Sequence, residues 1–517
     1  MKKALVAVVL VVLAGVAVWW FVARDAGPRL DASVRDAADR VPGNVAWIAI
    51  LPPMGELDAV LENASVAVDA VAPRSNGLTV MEADRREALG IDPDRRGVVG
   101  QLAGAGPNAL FAMVRLRADA PPLDEALAAG WPHAEIGPCE SPLGDCRTMG
   151  AGMRAVLDGR ALYVLVDTPD AHDALVAGLD APLGDDPGFR ETMRFGVDPL
   201  VAGYVRPAAW VGSSYEDLPR WIREAANDSV EAIEDLEGMG IALAREPGQL
   251  VAEATFWSSP EAPWLGVWDG RRSGALVDAL PGRADAFFHL QMDMGAFEQS
   301  VQDRVEGNPE MAEWVDDASR DAGRAGVDDP WAIFDVLSGE VAGVSLRGDE
   351  GVLVVGLADA ERASDWLDEK SEGLVSGLSA TDVDDVTVYR TRLLGVRLAA
   401  AVIDDRLWLS TMPVLRDVIR DEREPLGESL SPAARDAVDS GAPFVASLRP
   451  VRVLDGLDML LPVPAMQHGE AVLEVIDDVI VTTGAEGRFT WSRVCVHVND
   501  ERLDAWVDQA RDDGGGE

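Results

Sequence analysis

Pro42-Gly43-Asn44-Val45-Ala46-Trp47-Ile48-Ala49-Ile50-Leu51 is the stretch from which this 517-residue chain is read, because its pattern returns about 240 residues later. There Pro281-Gly282 is followed by Ala286-Phe287-Phe288-His289-Leu290. A Pro-Gly turn running into an apolar segment predicts an opening strand in each copy. Further echoes follow in the same order. Leu102-Ala103-Gly104 returns as Leu337-Ser338-Gly339, and Ala155-Val156-Leu157-Asp158-Gly159-Arg160 as Ala401-Val402-Ile403-Asp404-Asp405-Arg406. Pro182-Leu183-Gly184-Asp185 returns as Pro425-Leu426-Gly427-Glu428, and Val205-Arg206-Pro207 as Leu448-Arg449-Pro450. Turn chemistry and apolar pattern repeat; residues able to do chemistry do not.

Working outward, the length exceeds what one core usually supports, so two units are expected. The boundaries read as an anchor over 1–24, a juxtamembrane helix or stalk over 25–40, and a first repeat unit over 41–259. A connector over 260–277, a second unit over 278–510 and a frayed tail over 511–517 complete the chain. Asp158-Gly159 predicts a type I′ hairpin, with Asp404-Asp405 as its less ideal counterpart. Strand pairs with interspersed helices predict an α+β fold: two similar tandem units, each an antiparallel sheet with packed helices, after an N-terminal transmembrane helix.

The Pro-x-x-x-Ala-aromatic strand, the Leu-x-Gly element and the Asp-Gly/Asp-Asp hairpin resemble an uncharacterised bacterial family. Its members are exported or membrane-anchored proteins containing a domain of unknown function, present here as a tandem duplication. The resemblance spans most of residues 41–510 and implies no activity and no catalytic residues. The segment around Cys139 and Cys146, absent from the second copy, departs from it.

Lys2-Lys3 precedes an uninterrupted apolar run from Ala4 to Ala23, closed by Trp19, Trp20 and Phe21. At about 1.5 Å per residue such a run spans roughly the 30 Å of a bilayer core, with aromatic rings at the headgroup layer. A cleaved signal peptide is the rival reading; the length and the bulky aromatic end favour an uncleaved single-pass anchor of an inner or cytoplasmic membrane, the bulk of the chain outside. The net charge is −44; Lys2, Lys3 and Arg24 are positive, so the remainder stands at −47. That excludes nucleic-acid binding and leaves the membrane, through the N-terminal helix, non-specific cations and an envelope protein or polymer as expected partners. Only Lys2, Lys3 and Lys370 are lysines, the other 42 basic residues being arginine, which fits a high-salt habitat or a GC-rich genome equally.

Cys139 and Cys146 bracket the turn-rich Glu-Ser-Pro-Leu-Gly-Asp and are expected to form a disulfide outside the cytoplasm. Cys495, in an alternating strand pattern, reads as a small buried hydrophobe. No Gly-Lys-Ser/Thr phosphate loop, His-Glu-x-x-His or Gly-x-Ser-x-Gly is present, and no two of the five histidines sit at metal-ligand spacing. His172 reads as solvent-exposed on a helix, and His289 as a strand residue where the first copy has Ala49. Asp382, Asp384 and Asp385 form the best acidic cluster, a weak metal candidate that reads more simply as a solvated turn. Trp257, Trp264 and Trp268 cluster around the connector, either to grip a partner or to pack the seam between units. No cofactor is expected. The leading expectation is a non-enzymatic binding or scaffolding protein of the bacterial envelope. A carboxylate-based hydrolase acting on envelope polymers and a calcium-dependent adhesion or assembly protein are the alternatives.

Overall fold

In a computed structural model, strands and turns dominate. It describes residues 29–57, 83–214, 235–268, 275–307, 330–346, 351–372, 378–449 and 475–499, apart from scattered single positions, with a few residues of 312–320 and 501–505. The expected anchor over Ala4–Ala23 and the tail over 511–517 lie outside the described residues. Among the described residues no helix is long and apolar enough to cross a membrane. All but two of the described strands belong to a single antiparallel sheet of 20 strands, and the described residues also form twelve α-helices. This corrects the α+β expectation of a separate sheet in each unit; the transmembrane helix expected ahead of them lies outside the described residues. Turn signals and apolar alternation say which neighbouring strands pair, but nothing in them marks where a hydrogen-bonded ladder stops.

The chain divides into two compact units at Ser259/Pro260. In the first, strands β1 (Arg29–Leu30) to β12 (Gln249–Ser258) include β2 (Val45–Pro53), β3 (Arg96–Leu102), β4 (Leu110–Arg115) and β5 (Ile136–Pro138). β6 (Asp145–Met149), β7 (Met153–Asp158), β8 (Ala161–Val166), β9 (Arg194–Phe195), β10 (Val201–Val205) and β11 (Leu236–Glu246) complete it. Ten of them pair in the order β12-β11-β10-β2-β3-β4-β8-β7-β6-β5, and β1 forms a ribbon with β9. Helix α1 (Ala32–Ala38) begins at Asp31, whose carboxylate accepts the N–H of Ser33 and Val34. Helices α2 (Ala83–Ala88), α3 (Leu123–Gly130), α4 (Pro169–Leu179), α5 (Pro187–Thr192) and α6 (Pro207–Ser214) follow.

The second unit comprises β13 (Ala286–Gln291), β14 (Leu337–Ser345), β15 (Gly351–Leu357), β16 (Ser379–Val383) and β17 (Val386–Leu393). It continues with β18 (Val396–Ile403), β19 (Arg406–Ser410), β20 (Phe444–Leu448), β21 (Ile476–Glu486) and β22 (Phe489–Val498). They pair as β22-β21-β20-β13-β14-β15-β19-β18-β17-β16, strand for strand the order of the first unit. Its helices are α7 (Ala275–Ala279), α8 (Met294–Gly307), α9 (Ile333–Val336), α10 (Ala360–Glu372), α11 (Met412–Ile419) and α12 (Pro432–Asp439). Its core gathers Phe287, Ala342, Val354, Trp408, Leu415 and Val445.

Backbone bonds fix which residues of the two units correspond. Arg206 N–H donates to the Ala46 carbonyl and Arg449 N–H to that of Asp285; Leu183 N–H donates to Val41 and Leu426 N–H to Leu280. His289 therefore stands where the first unit has Ile50, not Ala49: matching alanine to alanine in sequence misplaces the frame by one residue. The β7–β8 hairpin shifts likewise. Asp158 pairs with Ala161 and Ile403 with Arg406, so the two-residue loops are Gly159-Arg160 and Asp404-Asp405. Only their first residues, Gly159 at φ 58° and Asp404 at φ 54°, are left-handed, so neither is the expected type I′ turn. The Leu-x-Gly motifs are not equivalent either: Leu102 ends β3, whereas Leu337 opens β14.

Candidate functional site

Two apolar faces arise when a strand lacks polar alternation, and β11 is such a strand. In Met239-Gly240-Ile241-Ala242-Leu243-Ala244 the odd-numbered residues point one way and the even-numbered the other. Ala242 and Ala244 are buried; Ile241 is 45% and Leu243 50% exposed. Opposite Ile241 and Leu243 lie Ala254 and Ala252 of β12, then Gly203 and Val201 of β10. The same face continues through Ala49 of β2, Val99 of β3, Ala112 of β4 and Val164 of β8. Leu250, opposite Arg245 on β12, is 47% exposed, and Leu110 and Val166 share the face. Among the described residues, all five exposed large hydrophobics of the first unit stand on it: Leu110, Val166, Ile241, Leu243 and Leu250.

The reverse face is closed. Ile48, Ile50, Met113, Tyr163 and Tyr204 are buried there, the Tyr163 hydroxyl donating to the Arg40 carbonyl at 2.7 Å. Burial pushes the Tyr204 hydroxyl up to about 12, so it stays neutral at ordinary pH. The second unit does not reproduce the open face: the position matching Leu243 is Thr483, which is buried. Sequence reading passed over this surface. The signal was the unbroken apolar run on β11, where a strand with one wetted face would alternate.

The Cys139–Cys146 disulfide is formed, and Cys139 N–H donates to the Cys146 carbonyl, so the bridge extends the β5–β6 ladder by one rung. Asp384 and Asp385 are the two central residues of the β16–β17 turn, at φ 49° and 66°, the type I′ geometry. The carboxylates of Asp382 and Asp384 serve separate partners. Asp384 binds Arg420 at 2.8 Å, and Asp382 accepts from Thr387 at 3.3 Å. Among the described residues no group of side chains is arranged to hold a metal ion. Trp257 is half-buried on β12, Trp264 is half-buried in a turn, and Trp268 is buried.

One histidine differs from its reading in sequence, and the other is the strand residue expected. His172 on α4 is not exposed: it is 8% accessible, and its Nε2 lies 3.1 Å from Ser141 Oγ in the disulfide loop. His289 is completely buried, with Nε2 2.8 Å from Glu340 Oε1. A surface cleft of about 450 Å³ is lined by Asn44, Gly178, Asp185, Asp186 and Arg206; Asp186 and Arg206 neutralise each other across it.

No protein-family model and no curated protein matches the chain. Among solved structures it is similar to crystal form III of TP0453 at 11% identity and a TM-score of 0.26, over 43% of this chain and 80% of that one. Crystal form IV gives the same values, and crystal form I gives 10% identity and a TM-score of 0.23, over 45% of this chain and 96% of that one.

Proposed function

We propose that this protein has a binding or scaffolding role in the bacterial envelope, tethered to the membrane by Ala4–Ala23, and receives its partner on the open apolar face of the first unit. The observation that supports this reading is the collection of Leu110, Val166, Ile241, Leu243 and Leu250 on one side of the sheet. Burying such surface yields about 25 cal/mol per Å², so a contiguous face of this kind favours a docked state over a wetted one. Acidic surroundings, at a net charge of −44, discourage anionic partners.

A fluorescent apolar dye added to the full-length protein tests the reading. Binding should drop severalfold in an Ile241→Asp/Leu243→Asp variant whose melting temperature is unchanged. Equal dye binding by the two proteins would remove the proposal.

A further inference from the structure

Ser141 lies in the loop closed by the Cys139–Cys146 disulfide, and His172 lies on α4, four residues after the Thr168 cap. Thr168 Oγ1 accepts the Ala171 N–H and Pro169 opens the helix, so the histidine is carried on a firmly started element. The Leu143 N–H donates to Ser141 Oγ at 3.2 Å, while His172 Nε2 lies 3.1 Å from the same oxygen. With the amide occupying one acceptor position, the hydroxyl can donate to the ring nitrogen in the tautomer that leaves Nε2 unprotonated. That is the relation of a nucleophile to its general base. On the far side of the ring, Asp173 Oδ1 stands 3.7 Å from Nδ1. This is too long for a hydrogen bond, and the carboxylate is exposed. Packing does not call for a histidine here: the second unit places buried Leu415 four residues after its own cap, Thr411.

We propose that Ser141 and His172 form a nucleophile–base pair that accepts acyl groups from small activated esters, independently of the apolar face. Ser141 Oγ bonds to the acyl carbon as the ester C–O bond breaks. The hydroxyl proton passes to His172 Nε2 and then to the departing alkoxide or aryloxide. Water attacks the acyl-serine by the same route, giving the carboxylic acid and restoring the hydroxyl. The disulfide limits the motion of the loop, so the pair is pre-set before an ester arrives.

The test uses the full-length protein with a fluorophosphonate probe, peptide mapping by mass spectrometry, and release of p-nitrophenol from p-nitrophenyl acetate. The label should map to Ser141 and be absent from Ser141→Ala. His172→Gln can still hydrogen-bond Ser141 but cannot take up its proton, so labelling should slow about a hundredfold at an unchanged melting temperature. No label on Ser141 in the native protein, or equal labelling of the His172→Gln variant, would overturn the assignment. Mapping on the unaltered chain decides the matter even if a variant fails to fold.

Discussion

The two units share a strand order but fill it with different interior chemistry. Ile50 of the first becomes His289 in the second, and Leu415 of the second becomes His172 in the first. Val98 and Ala342, facing Ile50 and His289, mark a third pair: two residues earlier, Arg96 of the first unit matches Glu340 of the second. Arg96 is buried and donates to Ser33 Oγ and to the carbonyls of Pro199 and Leu200 at 2.6–3.0 Å. Glu340 receives His289 instead. The ladder therefore tolerates opposite charges at one place, provided each arrives with its partner. Polar groups inside a core are decided by who meets them, not by the strand they ride on.

Breaking these partnerships should cost most where most acceptors are orphaned. Arg96→Leu leaves the Pro199 and Leu200 carbonyls without their donor and should destabilise the first unit by about 3 kcal/mol, measured by urea unfolding. Replacing both Cys139 and Cys146 by alanine frees a short loop and should lower stability by about 2.5 kcal/mol on the chain-entropy account. Reductant added to the native protein should reproduce that loss. His289→Ile copies the first unit but strips Glu340 of its ring contact, costing about 2 kcal/mol; adding Glu340→Leu should recover most of it. A full loss in the double variant would show that the pair contributes more than mutual satisfaction.

The smallest effect depends on pH. Burial pushes the Asp31 carboxyl upward, but hydrogen bonds from Ser33 and Val34 and the nearby Arg96 outweigh it, so the net shift is below the ordinary 3.8. A lowered carboxyl contributes stability above pH 3.8, and that contribution is lost as pH falls through the folded value. Asp31→Ala should therefore cost about 1 kcal/mol near neutrality and progressively less in acid, seen as converging melting temperatures.

Sequence alone made much of the ladder readable, through its turns. Pro247-Gly248 sits at the β11–β12 turn as its residues suggest; the β21–β22 loop is Gly487-Arg488, one residue beyond the Glu486-Gly487 that the sequence suggests, and both Pro-Leu-Gly motifs form short 3₁₀ turns. Those features are local, set by residues a few positions apart. Register was less readable: the hairpin and opening-strand pairings each slipped by one because similar residues were matched rather than hydrogen-bonding frames. His172 was read as exposed because the disulfide loop that covers it lies some thirty residues earlier in the chain. The open face was missed for a related reason. One apolar strand does not say which of its sides the rest of the chain will cover.

The β1–β9 ribbon has a mechanical consequence. Arg29 and Leu30 pair with Phe195 and Arg194, two rungs in all, immediately before the Asp31-capped helix. Tension applied from the N-terminal side reaches that ribbon before it reaches the ten-strand ladder. Two rungs yield under less load than a long strand in shear, so a tug would peel β1 from β9 before it reached the core-packed helix α1. The chain thus carries a mechanical fuse at the leading end of its first unit.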